Sequence, residues 1–155
     1  MDDENCVIEM IKKNVKLFQY ASERIKSNPN FYIDASKYVD DILAFAPFEL
    51  RDNKEFMEKI VKINPQTFRF GSINIRNDKD IIMIAVEKDG NLLGYAIKES
   101  RGDRDIVMKA LENNGDSLVF ALHNLRDDEE IVIQAMKNDK KALRFASERL
   151  RKKFT

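Results

Sequence analysis

Apolar residues along this 155-residue chain fall into short clusters that return at a fixed interval. Between Asp103 and Arg126, Ile106, Val107, Ala110 and Leu111 form one cluster, and Leu118, Phe120, Ala121 and Leu125 form another. The first spacing draws a stripe along one side of a helix. It predicts an amphipathic helix A of about ten residues, and the second cluster predicts a helix B of about eight. Sliding the chain along itself reproduces both clusters every 25 residues without an insertion, giving units 2–26, 27–51, 52–76, 77–101, 102–126 and 127–151. Positions within a unit are numbered 1 to 25.

Four columns hold their chemistry through all six units. Position 2 reads Asp3, Asn28, Asn53, Asp78, Asp103 and Asp128, side chains whose oxygens accept from the free amides of a first helical turn. Pro29 follows at a first helical position, where its missing amide hydrogen costs nothing. Position 19 is aromatic (Tyr20, Phe45, Phe70, Tyr95, Phe120, Phe145), and position 20 is small (Ala21, Ala46, Gly71, Ala96, Ala121, Ala146). That pair predicts close helix approach at the small residue, with the aromatic of one unit filling space left by the alanine of the next. Position 25 is basic: Lys26, Arg51, Arg76, Arg101, Arg126 and Arg151. It is expected to bind the last carbonyls of its own helix or the acid at the next helix start. Between the helices, Asp89-Gly90 and Asn114-Gly115 predict turns with glycine in the left-handed cap conformation, and Pro65 after Asn64 predicts a stop. Unit two departs from the pattern. Tyr38-Val39-Asp40 replaces the turn, and Pro47 is expected to kink or end helix B early.

Helices this short do not persist alone, so their stability has to come from stacking. The expected fold is all-α: an α-solenoid of six 25-residue helix-turn-helix repeats forming one domain over 2–151, with a basic tail at 152–155.

Charge and candidate chemistry narrow the function. Twenty-seven basic and twenty-seven acidic residues cancel, leaving no net field to gather nucleic acid or an anionic membrane. A single cysteine allows no intramolecular disulfide and suits a reducing compartment. The acidic start does not resemble a secretory signal, and no eighteen-residue apolar run exists; a soluble, cytoplasmic protein is expected. Cys6 stands at position 5, where the other units place Phe31, Phe56, Ile81, Ile106 and Ile131, so it is expected in the core. The only histidine, His123, falls near the end of helix B without a partner of its kind and is expected at the surface or as a cap. No cluster has zinc-ligand composition. Asp127-Asp128-Glu129-Glu130 lacks a calcium loop and suits a helix start, while Gly90, Gly94 and Gly102 lack a phosphate-loop context. No catalytic residue, metal ligand or cofactor site is predicted.

Columns that change between units can carry recognition. Helix A offers solvent a uniformly polar face. Helix B varies at position 18 (Gln19, Ala44, Arg69, Gly94, Val119, Arg144) and position 22 (Glu23, Phe48, Ile73, Lys98, His123, Glu148). Phe48, Ile73 and Val119 are over-apolar for an exposed row. Rimmed by Arg69, Lys98 and Arg144 and flanked by His123, they form the candidate partner-binding face. The competing expectation is that the twist of the array buries them.

Unit six, from Asp127-Asp128-Glu129-Glu130-Ile131-Val132-Ile133-Gln134-Ala135-Met136-Lys137 to Ala142-Leu143-Arg144-Phe145-Ala146-Ser147-Glu148-Arg149-Leu150-Arg151, resembles the family known as domain of unknown function 4116. The resemblance covers units one and three to six well and unit two loosely. It implies short helical repeats with no assigned activity and supplies no site residues. The sequence therefore points to a non-catalytic protein–protein interaction scaffold presenting a helix B face. The alternatives are a nucleic-acid-binding helical repeat and a self-assembling structural element. The expected state is a monomer or a weak end-to-end self-associating chain.

Overall fold

The structure is a computed structural model that describes residues 1–155, and every regular element in it is a helix. No helix is long and apolar enough to cross a membrane. The long helices are Glu4–Lys13, Pro29–Ser36, Lys54–Ile63, Lys79–Lys88, Arg104–Asn113 and Glu129–Asn138. Each starts at the Asp or Asn of position 2. Asp3 accepts from the Cys6 amide, Asn28 from Asn30, Asn53 from Phe56, and Asp128 from Ile131. Asp78 accepts from Asp80 and Ile81, and Asp103 from Asp105 and Ile106. These bonds satisfy amides that have no intrahelical partner.

The predicted helix B is not one element. Six-residue 3-10 segments occupy Val15–Tyr20, Asp40–Phe45, Pro65–Phe70, Gly90–Tyr95, Gly115–Phe120 and Lys140–Phe145. After an extended break at position 20 a separate short helix follows, as in Glu23–Lys26, Phe48–Arg51 and His123–Arg126. In five of the six repeats position 13 carries a local cause; unit two has Val39 there, with no capping side chain, and its segment is 3-10 all the same. Asn14, Asn64, Asp89, Asn114 and Asp139 accept from the amide two residues on, a local bond that turns the chain out of the α-helix. Three residues per turn put positions 17 and 20 on one face and 15 and 18 on another. Phe18, Leu43, Phe68, Leu93 and Leu118 are accordingly buried together with the position 20 alanines, while Tyr20, Phe45 and Tyr95 are exposed. Three of the position 19 aromatics are thus exposed, where all were expected to fill space beside the alanines, and the residues two before them carry the burial instead.

Other expectations are corrected as well. No glycine has a positive φ. Gly90 and Gly115 are required by close approach instead: an added Cβ would lie 2.4 Å from the Ala110 carbonyl oxygen and 2.3 Å from that of Ala135. Asn113 and Asn138 on the following helices close these junctions, accepting from the Gly90 and Gly115 amides and donating to the carbonyls that end the preceding helix. Pro47 caps the helix Phe48–Arg51 rather than kinking one. Cys6 is exposed, whereas position 5 is buried in every later repeat. His123 opens a short helix rather than closing one.

The chain divides into two compact units, Met1–Ile75 and Arg76–Thr155. In the first, Phe18 stacks on Phe31 at 5.4 Å, with Tyr32 and Phe45 edge-on at 5.7 and 5.9 Å, around a core that includes Ile25, Met57, Ile60 and Phe68. In the second, Ile82, Val86, Leu93, Val107, Leu111, Leu118 and Val132 are fully or almost fully buried.

Within each compact unit one backbone bond recurs. The position 25 carbonyl accepts from the position 21 amide 21 residues later: Arg51 from Ser72, Arg76 from Ile97, Arg101 from Leu122, and Arg126 from Ser147, at 2.9–3.1 Å. Basic side chains add to it. Arg51, Arg76 and Arg126 donate to the carbonyls of Phe70, Tyr95 and Phe145. Arg51 and Arg151 also donate within their own repeats, to the carbonyls of Ala46 and Ala146, so the targets of the basic column include carbonyls of the following repeat as well as the expected ones of its own. One junction differs. Pro47 has no amide hydrogen to give the Lys26 carbonyl, and the buried Tyr32 hydroxyl donates there instead at 2.8 Å.

Candidate interaction surface

Position 22 is the first residue of the short helix in four repeats and lies two residues before it at Ile73 and Lys98. Phe48 and Ile73, in the first compact unit, are 57% and 66% exposed. Lys98 and His123, in the second, are exposed as well, and Val119 at position 18 is 39% exposed. These side chains are open to solvent, so the burial alternative does not describe them.

The two arginines of the candidate rim are already engaged. Arg69 lies over the Phe70 ring at 4.9 Å and pairs with Asp41. Arg144 lies over Phe145 at 4.5 Å and pairs with Asp116 at 2.6 Å. Geometry explains the repetition, because positions 15 and 18 share the outer face of adjacent 3-10 segments. A signal for this was present but unused: among position 15 residues, acids occur only at Asp41 and Asp116, and Arg occurs 28 residues after each.

A second network was also missed. Asp2, Asp52 and Asp127 at position 1 accept from Ser22, Ser72 and Ser147 at position 21. Arg24, Asn74 and Arg149 add further bonds. Hydrogen bonds from the serines, then from these second partners, hold the three carboxyls below the ordinary 3.8. Across the helix starts, Lys79 bridges Asp103 and Asp105, and Arg104 bridges Asp128 and Glu130. Burial pushes Asp103 up, but the bonds from Lys79 and the Ile106 amide outweigh it and leave this carboxyl lowered. Every acid of the Asp127–Glu130 cluster is thus paired, in a place where the helix dipole also favours negative charge.

The second compact unit also carries an open depression of about 360 Å³ lined by Asn91, Gly94, Tyr95 and Phe120. No three His, Cys, Asp or Glu side chains are placed to hold a metal ion.

The family model described as "Domain of unknown function (DUF4116)" matches residues 3–51, 53–101 and 103–151. The chain belongs to this family. Each DUF4116 match opens on a helix-capping residue, Asp3, Asn53 or Asp103, and contains two long helices. No curated protein and no solved structure matches the chain. Membership of DUF4116 identifies a helical repeat family and assigns no chemistry to it.

Proposed function

We propose that this protein is a non-catalytic protein–protein interaction scaffold: an α-solenoid of six 25-residue repeats, three in each compact unit, that offers its position 18 and 22 side chains to a protein partner. The repeat reading is supported by long helices that start at residues 4, 29, 54, 79, 104 and 129. The observation that carries the functional reading is the exposure of Phe48 and Ile73 in successive repeats, at a position that is charged or His in every other repeat. Exposed neighbouring apolar residues of this kind are a recurrent mark of an interaction surface. Phe48→Ser with Ile73→Ser is the test. The double variant should melt within a few degrees of the parent and lose capture of host proteins that the parent retains. Collapse of the fold, or an unchanged set of captured proteins, would contradict the assignment. The balanced charge weighs against the alternative of a nucleic-acid-binding array; a gel shift at low salt that retards DNA or RNA would favour it.

A further inference from the structure

We infer that the depression between the segments Gly90–Tyr95 and Gly115–Phe120 is a receptor site for an arginine side chain presented by a protein partner. This inference rests on the scaffold reading and gives its partner a chemistry.

The argument comes from what other repeats place at the equivalent point. At two junctions a guanidinium from position 18 covers the aromatic ring of position 19 and reaches the position 15 side chain of the preceding repeat: Arg69 over Phe70 to Asp41, and Arg144 over Phe145 to Asp116. Between these examples the second compact unit has a junction with the same ring, Phe120, and a polar position 15 residue, Asn91, but with Val119 at position 18. Valine is too short to span from one to the other. The space a guanidinium would take is left open, and Asn91 and Phe120 are two of the residues that line it.

The rest of the lining suits a planar cation. Gly94 contributes only backbone, and a Cβ there would lie 2.8 Å from the Phe120 ring, so the floor admits no side chain. Tyr95 is 43% exposed and supplies a second aromatic wall. A guanidinium is planar and weakly hydrated, and it is attracted to aromatic faces. The Asn91 Oδ1 accepts one bond from Asn114 at 3.0 Å and has a second lone pair for an incoming N–H. Asn91 is neutral where Asp41 and Asp116 are charged, so the arginine held here is bound reversibly.

The test is an amide NMR titration of the full chain with ethylguanidinium. The expected result is saturable shifts confined to Asn91, Gly94, Tyr95, Phe120 and their neighbours. Val119→Arg should abolish them by filling the depression from within the chain, and Phe120→Leu should weaken binding by about fivefold or more. Absence of saturable shifts, persistence of them in Val119→Arg, or equal binding of n-butanol would overturn the site. Such a failure would leave the scaffold reading standing on Phe48 and Ile73, whose test involves neither residue nor probe used here.

Discussion

Tyr32 and Pro47 show one residue compensating for another. Tyr32 occupies a column that is otherwise Val, Met or Ile, and its hydroxyl serves the carbonyl that proline leaves without a backbone donor. Removing that hydroxyl exposes a buried acceptor to its full desolvation cost, so Tyr32→Phe should lose about 1–3 kcal/mol in urea unfolding. Pro47→Ser should restore stability more in the Tyr32→Phe background than in the parent; strictly additive effects would separate the two residues. Burial pushes the Tyr32 hydroxyl up to about 12, so its contribution is complete below the ordinary 10.0 and lost as pH rises through about 12. At the acid end the signs reverse. Asp52 and Asp127 have lowered folded values, so they stabilise the fold fully above 3.8 and progressively less as pH falls below it. Urea midpoints should decline from about pH 4 downward, and Ser72→Ala with Ser147→Ala should flatten that decline. Gly115→Ala meets the Ala135 carbonyl oxygen at 2.3 Å and should cost about 1–3 kcal/mol or more in the same measurement.

Among the elements, the long helices were legible because their signals are local: a capping side chain and an apolar stripe decide where each one begins. The second half of the repeat was not. Apolar residues at positions 16, 17, 19 and 20 fit a period of 3.6 about as well as one of 3.0 over so short a span. Asn and Asp at position 13 end the helix before them, as the sequence indicates, but they also cap the 3-10 segment after them, which it does not reveal. Gly90 and Gly115 misled for another reason, since what demands glycine is a carbonyl about twenty residues away in sequence. Cys6 shows the limit of column logic, because a shared position does not guarantee shared burial. In the candidate surface, the column leaves open whether Phe48 and Ile73 are exposed or buried, and only the fold shows them exposed. The engagement of Arg69 and Arg144 required matching positions 15 and 18 across adjacent repeats. The alanine column is buried, and Ala121→Leu, at a site 5% exposed, should overpack and lose about 1–3 kcal/mol in thermal unfolding.

For the molecule as a whole, stability is assigned to the junctions between repeats rather than to any single helix. The basic column is one part of this. Arg76→Gln, Arg101→Gln and Arg126→Gln together should lower the melting temperature, by roughly 1–3 kcal/mol of stability in sum, since Arg76 and Arg126 donate to carbonyls of the next repeat. The backbone bond from position 21 to position 25 is the other part, and it exists only if consecutive repeats stack. Amide hydrogen exchange of the folded chain reads it directly. Ser72, Ile97, Leu122 and Ser147 donate across a junction, whereas the next residues, Ile73, Lys98, His123 and Glu148, open a turn or helix whose first amides lack an intrahelical acceptor. Slow exchange at the first four beside fast exchange at the second four is the expected result, and equally fast exchange at both sets would contradict repeat-to-repeat stacking.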